Sequence, residues 1–176
     1  MLEEIIKSAF TVVSVIIGLS LLKKEMSKKV EPLPDGSFEL RVSRIYFFTG
    51  AVCACIFLFF TGWILLDPDT PSEDRIFGLF FLIFSLLGVY FIVLYRNYRL
   101  YFDNEKIVVT NLFGKKNTMK WSEIEKVRSN AFTGYVTLSS ASTQLKVHQN
   151  LKGMVAFKQV MEAQTKWTAK ELRLPF

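Results

Sequence analysis

Lysine and arginine side chains beside long apolar runs are the residues of this sequence best suited to bind another molecule. Ammonium and guanidinium groups at a membrane edge attract anionic lipid headgroups by about 1 kcal/mol for each cation. A simpler interpretation is that these cations are topology signals and ordinary solvated surface. That interpretation and lipid binding both stay open. The candidates for contact with anionic lipid are Lys23, Lys24, Lys28, Lys29, Arg96, Arg99, Lys115 and Lys116.

Side chains that could support catalysis or bind a metal are sparse. The single histidine, His148, falls on the polar side of a predicted strand, where an exposed side chain without a functional role is expected. Cys53 and Cys55 lie two residues apart in an apolar run, and such positions on a helix point in different directions. No spacing typical of a metal site, phosphate loop or nucleophile–base pair occurs. We therefore predict no enzyme and no cofactor.

Two apolar segments are long enough to cross a membrane. Residues 45–66 and 76–95 contain no charged side chain, and at 1.5 Å per residue each covers a hydrocarbon core of about 30 Å. Between them, residues 67–75 contain two prolines and four acids, which predicts a turn. The sequence thus predicts a transmembrane helical hairpin over residues 45–95. Gly50 and Ala54, four residues apart, are expected to pack the two helices together, with self-association as the alternative.

The charges around this hairpin predict its orientation. Arg41, Arg44, Arg96 and Arg99 flank its outer ends, whereas the turn is acidic. Cytoplasmic segments next to membrane spans carry an excess of Lys and Arg. We therefore predict a protein integral to the cytoplasmic membrane, with the turn outside and residues 96–176 in the cytoplasm.

The N-terminal segment, residues 1–24, is also apolar. Ser8–Leu22 is uncharged, and Glu3 and Glu4 before it disfavour a cleaved signal peptide. Two interpretations remain, a third membrane span or an amphipathic helix lying in the interface. Weak polar punctuation favours the span. Residues 25–44 then form a linker in which residues 37–42 alternate and could add a strand to the domain beyond the hairpin.

Residues 96–176 have the pattern of a small, basic folded domain, with 14 basic and six acidic side chains. Apolar residues alternate near residues 98–102, 107–110, 118–121, 136–138 and 145–147, which predicts antiparallel strands. Residues 122–127 fit either a further strand or a turn that leads into one. Helical spacing from about Leu151 predicts a C-terminal helix to about Trp167, with Asn150 as its N-cap. The predicted core consists of Trp121, Ile124, Val136, Leu138, Leu145, Val147 and Met154.

The order of these elements resembles a known family. The stretch Tyr98-Arg-Leu-Tyr-Phe-Asp-Asn-Glu-Lys-Ile-Val-Val, then Gly114, then Met119-Lys-Trp-Ser-Glu-Ile-Glu-Lys-Val, two strands and a helix is similar to the bacterial pleckstrin-homology-like (PH-like) domain. Members of that family often follow a transmembrane hairpin. The resemblance covers about residues 96–167 and implies a small antiparallel β-barrel or sandwich with a C-terminal helix. Its motifs are patterns and include no catalytic signature.

The predicted fold class is therefore α+β, with a transmembrane helical hairpin and a PH-like domain. The predicted function is a membrane-anchored, non-enzymatic binding or scaffolding module that recognises a protein partner or self-associates. The alternative is sensing of anionic lipid headgroups by the basic domain. Nucleic-acid binding is disfavoured because neither a reading helix nor an aromatic platform is visible.

Overall fold

The computed structural model describes residues 20, 24–25, 27–130, 133–168 and 170. These residues form three helices, seven strands and one 3-10 turn, and they divide into two compact units. One unit contains residues 42–98 and 111–115, and the other contains the remaining described residues. The predicted N-terminal segment over residues 1–24 lies almost wholly outside the described residues, as does Lys23.

The first unit is a helical hairpin formed by α1 (Arg44–Leu66) and α2 (Arg75–Asn97), each of 23 residues. Serine 43 begins α1, where its hydroxyl oxygen accepts a hydrogen bond from the Ile45 backbone N–H at 3.3 Å. In the connection the Asp67 carboxylate accepts from the Asp69 backbone N–H at 3.1 Å, which stabilises the turn that the prolines and acids predict. The predicted pair of long apolar helices is confirmed.

Small residues set the distance between α1 and α2. A Cβ atom added at Gly88 would lie 2.6 Å from both the Ala54 nitrogen and the Gly50 oxygen. The Ser85 hydroxyl donates to the Ala54 carbonyl at 3.3 Å, which pairs a polar group across the two helices. The interpretation that Gly50 and Ala54 pack the hairpin is confirmed, because the two backbones meet where no side chain fits.

Outside that contact, the hairpin exposes large apolar side chains. Of the most apolar 18-residue stretch of each helix, only 11% is buried in α1 and 17% in α2. Leu66 is 82% exposed, and Ile83 on α2 is 65% exposed. The core helix of a soluble protein would be mostly buried, whereas lipid-facing side chains have no need of protein cover. Length, composition and exposure thus fit a location in a membrane.

The second unit contains a four-stranded antiparallel sheet in the order β1-β2-β3-β4. Its strands are β1 (Phe38–Arg41), β2 (Arg99–Phe102), β3 (Lys106–Thr110) and β4 (Lys116–Lys120). β1 precedes the hairpin in the chain and pairs with β2, which follows it, so that Leu40 lies opposite Leu100. The alternating segment at residues 37–42 therefore does join the sheet.

A second antiparallel sheet has the order β5-β6-β7. It consists of β5 (Lys126–Asn130), β6 (Tyr135–Ser139) and β7 (Gln144–His148). A 3-10 turn at Trp121–Glu123 precedes β5, so residues 122–127 are a turn that leads into a strand. The described residues form two separate sheets, and their hydrogen bonds do not close a barrel.

The C-terminal helix α3 (Met154–Gln164) begins later and ends earlier than the sequence predicts. Its N-cap is Gly153, whose φ of +81° lies in the left-handed region, and the prediction of Asn150 as the N-cap is wrong. Residues 151–153 instead continue the loop, and the Lys152 backbone N–H donates to the Arg41 carbonyl at 2.9 Å. That bond ties the loop to β1 before the helix can start.

The core of this unit contains the inward side chains of both sheets and one face of α3. Phe157 of α3 contacts the Phe102 ring at 5.5 Å between centroids and the Trp121 ring at 5.9 Å. Ile124 is only half-buried, so that member of the predicted core is wrong. The other six predicted core residues are at most 3% exposed: Trp121, Val136, Leu138, Leu145, Val147 and Met154.

Candidate functional site

The structure places the predicted lipid-contact cations in different segments. Lys24, Lys28 and Lys29 precede β1 and are exposed, and Lys28 forms an ion pair with Glu25. Arg96 is exposed in the last turn of α2. Lys115 is exposed in the β3–β4 connection, directly before Lys116 at the start of β4.

Two of the predicted cations share one row of the four-stranded sheet. Arg41, Arg99, Thr110 and Lys116 lie opposite one another across β1, β2, β3 and β4. Neighbouring strands are about 4.8 Å apart, so Arg99 and Lys116 lie roughly 10 Å apart at their backbones. The three cations are exposed, whereas the next residues inward, Leu40 and Leu100, are buried. The row therefore presents positive charge to solvent.

One carboxylate holds the two arginines of this row. Arg41 donates from Nε and Nη2 to the two Glu39 oxygens at 3.0 and 3.2 Å. Arg99 Nη1 donates to Glu39 Oε1 at 3.4 Å. Like charges directly opposite in a sheet repel, and Glu39 offsets that repulsion. The three cations and Glu39 together carry two net positive charges, which suits an anionic ligand.

Sequence reasoning missed Arg41 as a member of this site. It is identified only through its pairing with Arg99, which requires the register of β1 on β2. The alternation at residues 37–42 was the available signal, because a strand there has β2 as a near neighbour once the hairpin returns the chain.

A second cationic surface covers the outward face of the β5–β6–β7 sheet. Arg128, Thr137 and Lys146 lie opposite one another in one row, and Lys126 lies opposite Ser139 in the next. Valine and leucine residues at the alternate positions are buried, so these polar residues point outward. The three strands contribute no Asp or Glu at any position. We call Lys126, Arg128 and Lys146 the cationic sheet face.

His148 also belongs to the outward rows, yet it is only 7% exposed. The prediction of an exposed side chain is wrong because Tyr135 lies directly opposite and covers it, with ring centroids 4.9 Å apart. Burial lowers the pKa of His148 to about 4. Its Nδ1 atom accepts a hydrogen bond from the Asn150 backbone N–H at 3.1 Å, which requires an unprotonated Nδ1. His148 is therefore neutral at pH 7 and adds no charge to the face.

Trp121, which lines a shallow cleft, has a structural role. The walls of the cleft include Asn104, Glu105, Lys120 and Gln164. The Trp121 indole N–H donates to the Asp103 carbonyl at 2.7 Å and fixes the β2–β3 turn. Within the described ranges, no three His, Cys, Asp or Glu side chains come together as a metal site. The exposed cations of the two sheets remain the best candidates for binding.

Comparisons of the chain with family models, curated proteins and solved structures found no match.

Proposed function

We propose that this protein is a non-enzymatic binding module, integral to the cytoplasmic membrane through α1 and α2. Its second unit, with the PH-like order of strands and C-terminal helix, would lie in the cytoplasm and bind a protein partner that presents an acidic surface. The observation that carries this proposal is the cationic sheet face, where β5 provides Lys126 and Arg128, β7 provides Lys146, and the three strands contribute no Asp or Glu. A cluster of exposed cations favours a partner whose surface carries the opposite charge.

Several features of the hairpin support the membrane part of the proposal. Each helix of 23 residues extends about 35 Å, enough to cross a hydrocarbon core of about 30 Å. Arg44 and Arg96 lie at the helix ends that lead along the chain to β1 and β2, and the connection at the other end contains four acids. That asymmetry supports a cytoplasmic second unit.

Membrane anchoring suits a binding surface of modest area. A tethered domain meets other membrane components within a thin layer, which raises its effective concentration towards them. Contacts made by a few exposed cations would be too weak in dilute solution, since an exposed ion pair contributes about 0–1 kcal/mol. In a shared membrane, such contacts suffice for a reversible complex.

Co-purification of the full chain from membranes in mild detergent tests the proposed partner. Lys126→Glu with Arg128→Glu should remove a partner that co-purifies with the wild type, because it reverses the sign of the face. Lys106→Glu with Lys120→Glu is the matched control, since these two lysines lie opposite each other on neighbouring strands of the four-stranded sheet. Retention of the partner by the first double variant would contradict the proposal, and so would equal loss with both. Capture of a differently tagged second copy would identify self-association.

The row of Arg41, Arg99 and Lys116 supports a second candidate function, binding of anionic lipid headgroups. Arg41 precedes α1 by three residues and Arg99 follows α2 by two, so the chain keeps both within about 10 Å of a helix end. Native mass spectrometry of the full chain should then show fewer retained anionic lipids after Arg99→Gln with Lys116→Gln than after Lys106→Gln with Lys120→Gln. Equal retention would contradict this function. The full chain is required because a fragment starting at residue 96 lacks β1.

A further inference from the structure

Phe113 is the most exposed large apolar side chain of the described residues. Its accessible fraction is 92%, above that of any exposed apolar residue of the hairpin itself. It lies in the β3–β4 connection, whose sequence is Asn111-Leu-Phe-Gly-Lys115. A phenylalanine held so far from protein contacts leaves its whole ring in contact with the surrounding medium.

The connection is built to present this ring. The Asn111 carboxamide oxygen accepts hydrogen bonds from the backbone N–H groups of Phe113 at 2.9 Å and Lys115 at 3.0 Å. The Asn111 backbone N–H donates to the Lys115 carbonyl at 3.0 Å. Gly114 has a φ of +77°, which reverses the chain directly after Phe113. The tip is thus a hydrogen-bonded turn with the aromatic side chain at its apex.

The same connection is hydrogen-bonded to the end of α2, the helix that is proposed to cross the membrane. Asn97, the last residue of α2, donates from Nδ2 to the Leu112 carbonyl at 2.7 Å. Residues 111–115 belong to the same compact unit as α1 and α2. Arg96 precedes Asn97 in the last turn of α2, and Lys115 is exposed two residues after Phe113. An exposed aromatic ring and an exposed lysine are therefore held in a turn that is hydrogen-bonded to the end of α2.

We propose that the tip formed by Phe113 and Lys115 inserts into the cytoplasmic leaflet beside α2 and acts as an additional membrane contact. Phe113 would enter the boundary between headgroups and acyl chains, and Lys115 would bind the phosphate of an anionic lipid. The occupant of this surface is the bilayer, because the exposed Phe113 ring lies in a turn bound to the end of α2, whose own apolar side chains are exposed, and Lys115 in the same turn is basic. The proposal rests on the proposed function, in that α2 must cross the membrane.

Site-specific labelling of the full chain in vesicles of phosphatidylcholine and phosphatidylglycerol tests this contact. Cys53 and Cys55 are first replaced by alanine, and a single cysteine is introduced by Phe113→Cys, Phe59→Cys or Ser142→Cys. Phe59 is an exposed residue of α1 and reports on the hairpin, whereas Ser142 lies in the exposed β6–β7 turn and is the soluble control. Each cysteine carries an environment-sensitive fluorophore, which is quenched either by nitroxide lipids or by aqueous iodide.

The expected result is that the labels at residues 113 and 59 lose fluorescence to nitroxide lipid and resist iodide, whereas the label at 142 shows the reverse. A label at 113 that behaves like the one at 142, while the label at 59 is quenched by lipid, would overturn this inference alone. A label at 59 that resists nitroxide lipid would overturn the membrane part of the proposed function. Resistance of the label at 113 to both quenchers would indicate a protein contact and would also overturn the inference. Lys115→Glu should make the label at 113 more accessible to iodide, and an unchanged accessibility would exclude Lys115 from the contact.

Discussion

Acidification should destabilise the sheet unit through one residue, His148. Burial lowers its pKa from 6.5 to about 4. When pH falls through 6.5 the unfolded chain binds a proton on this imidazole, but the folded protein does not bind it until pH approaches 4. The contribution of the neutral His148 to the free energy of unfolding is therefore present above pH 6.5 and is lost as pH falls towards 4.

The two pKa values set the size of this effect. One unit of pKa difference corresponds to about 1.4 kcal/mol, so a separation of about 2.5 units gives a limit of roughly 3–4 kcal/mol. Linkage between the two values gives a loss of about 2 kcal/mol between pH 7.5 and pH 5. No other histidine contributes in that window, because the chain contains one.

Urea unfolding of the full chain in detergent micelles measures this loss through the fluorescence of the buried Trp121. Replacement of Trp63 and Trp167 by phenylalanine leaves Trp121 as the only tryptophan. The control variant is His148→Gln, since a glutamine oxygen keeps an acceptor near the Asn150 N–H but does not titrate. Between pH 7.5 and pH 5, the free energy of unfolding should fall by about 2 kcal/mol more in the parent than in the variant. An equal fall in both proteins would refute the assignment of His148 as a buried neutral imidazole.

Four further substitutions test the packing of the two units and the ion pairs of Glu39. Gly88→Ala should lower the free energy of unfolding of the hairpin by about 1–3 kcal/mol, because the added Cβ would lie 2.6 Å from the Ala54 nitrogen. The control Gly62→Ala meets no atom within 4 Å and should be neutral or stabilising. Unfolding in increasing dodecyl sulfate compares the two variants, and equal effects would contradict the close contact. Leu138→Ala and Leu145→Ala should each cost about 2–5 kcal/mol in urea unfolding, with the outward-facing Thr137→Ala as the control, and an unchanged stability would contradict their inward assignment. Glu39→Gln should cost less than about 1 kcal/mol in the same assay, because its ion pairs with Arg41 and Arg99 are exposed; a larger loss would show that Glu39 does more than offset their repulsion.

The sequence predicts the hairpin well because a lipid solvent imposes a simple rule. Twenty or more uncharged apolar residues are needed to cross it, and segments 45–66 and 76–95 meet that length. The strands were also predictable, because the burial of every second residue leaves a period of two in the sequence. Leu100 and Phe102 of β2 show this period, and Leu138 of β6 follows the same alternation. Both rules depend on residues close together in the sequence.

Features that depend on pairing between distant strands were not predictable in the same way. His148 has the position of an outward-facing residue, but its burial depends on Tyr135, which the register of β6 and β7 places opposite. The row of Arg41 and Arg99 joins residues on either side of the hairpin. The start of α3 was misplaced because Lys152 bonds to Arg41, a contact that local helix signals do not encode. Register and loop contacts therefore decide which polar side chains form a site.

The topology of the chain tests the central claim most directly, namely that a hairpin holds the sheet unit at the cytoplasmic face of the membrane. Reporter fusions placed after Asp69, in the α1–α2 connection, and after Phe176 measure the location of both positions. We predict that an alkaline phosphatase reporter is active at Asp69 and inactive at Phe176, and that a β-galactosidase reporter shows the opposite pattern, because the arginines flank the two outer ends of the hairpin in the sequence. Active β-galactosidase at both positions, or the reversed pattern, would contradict the account.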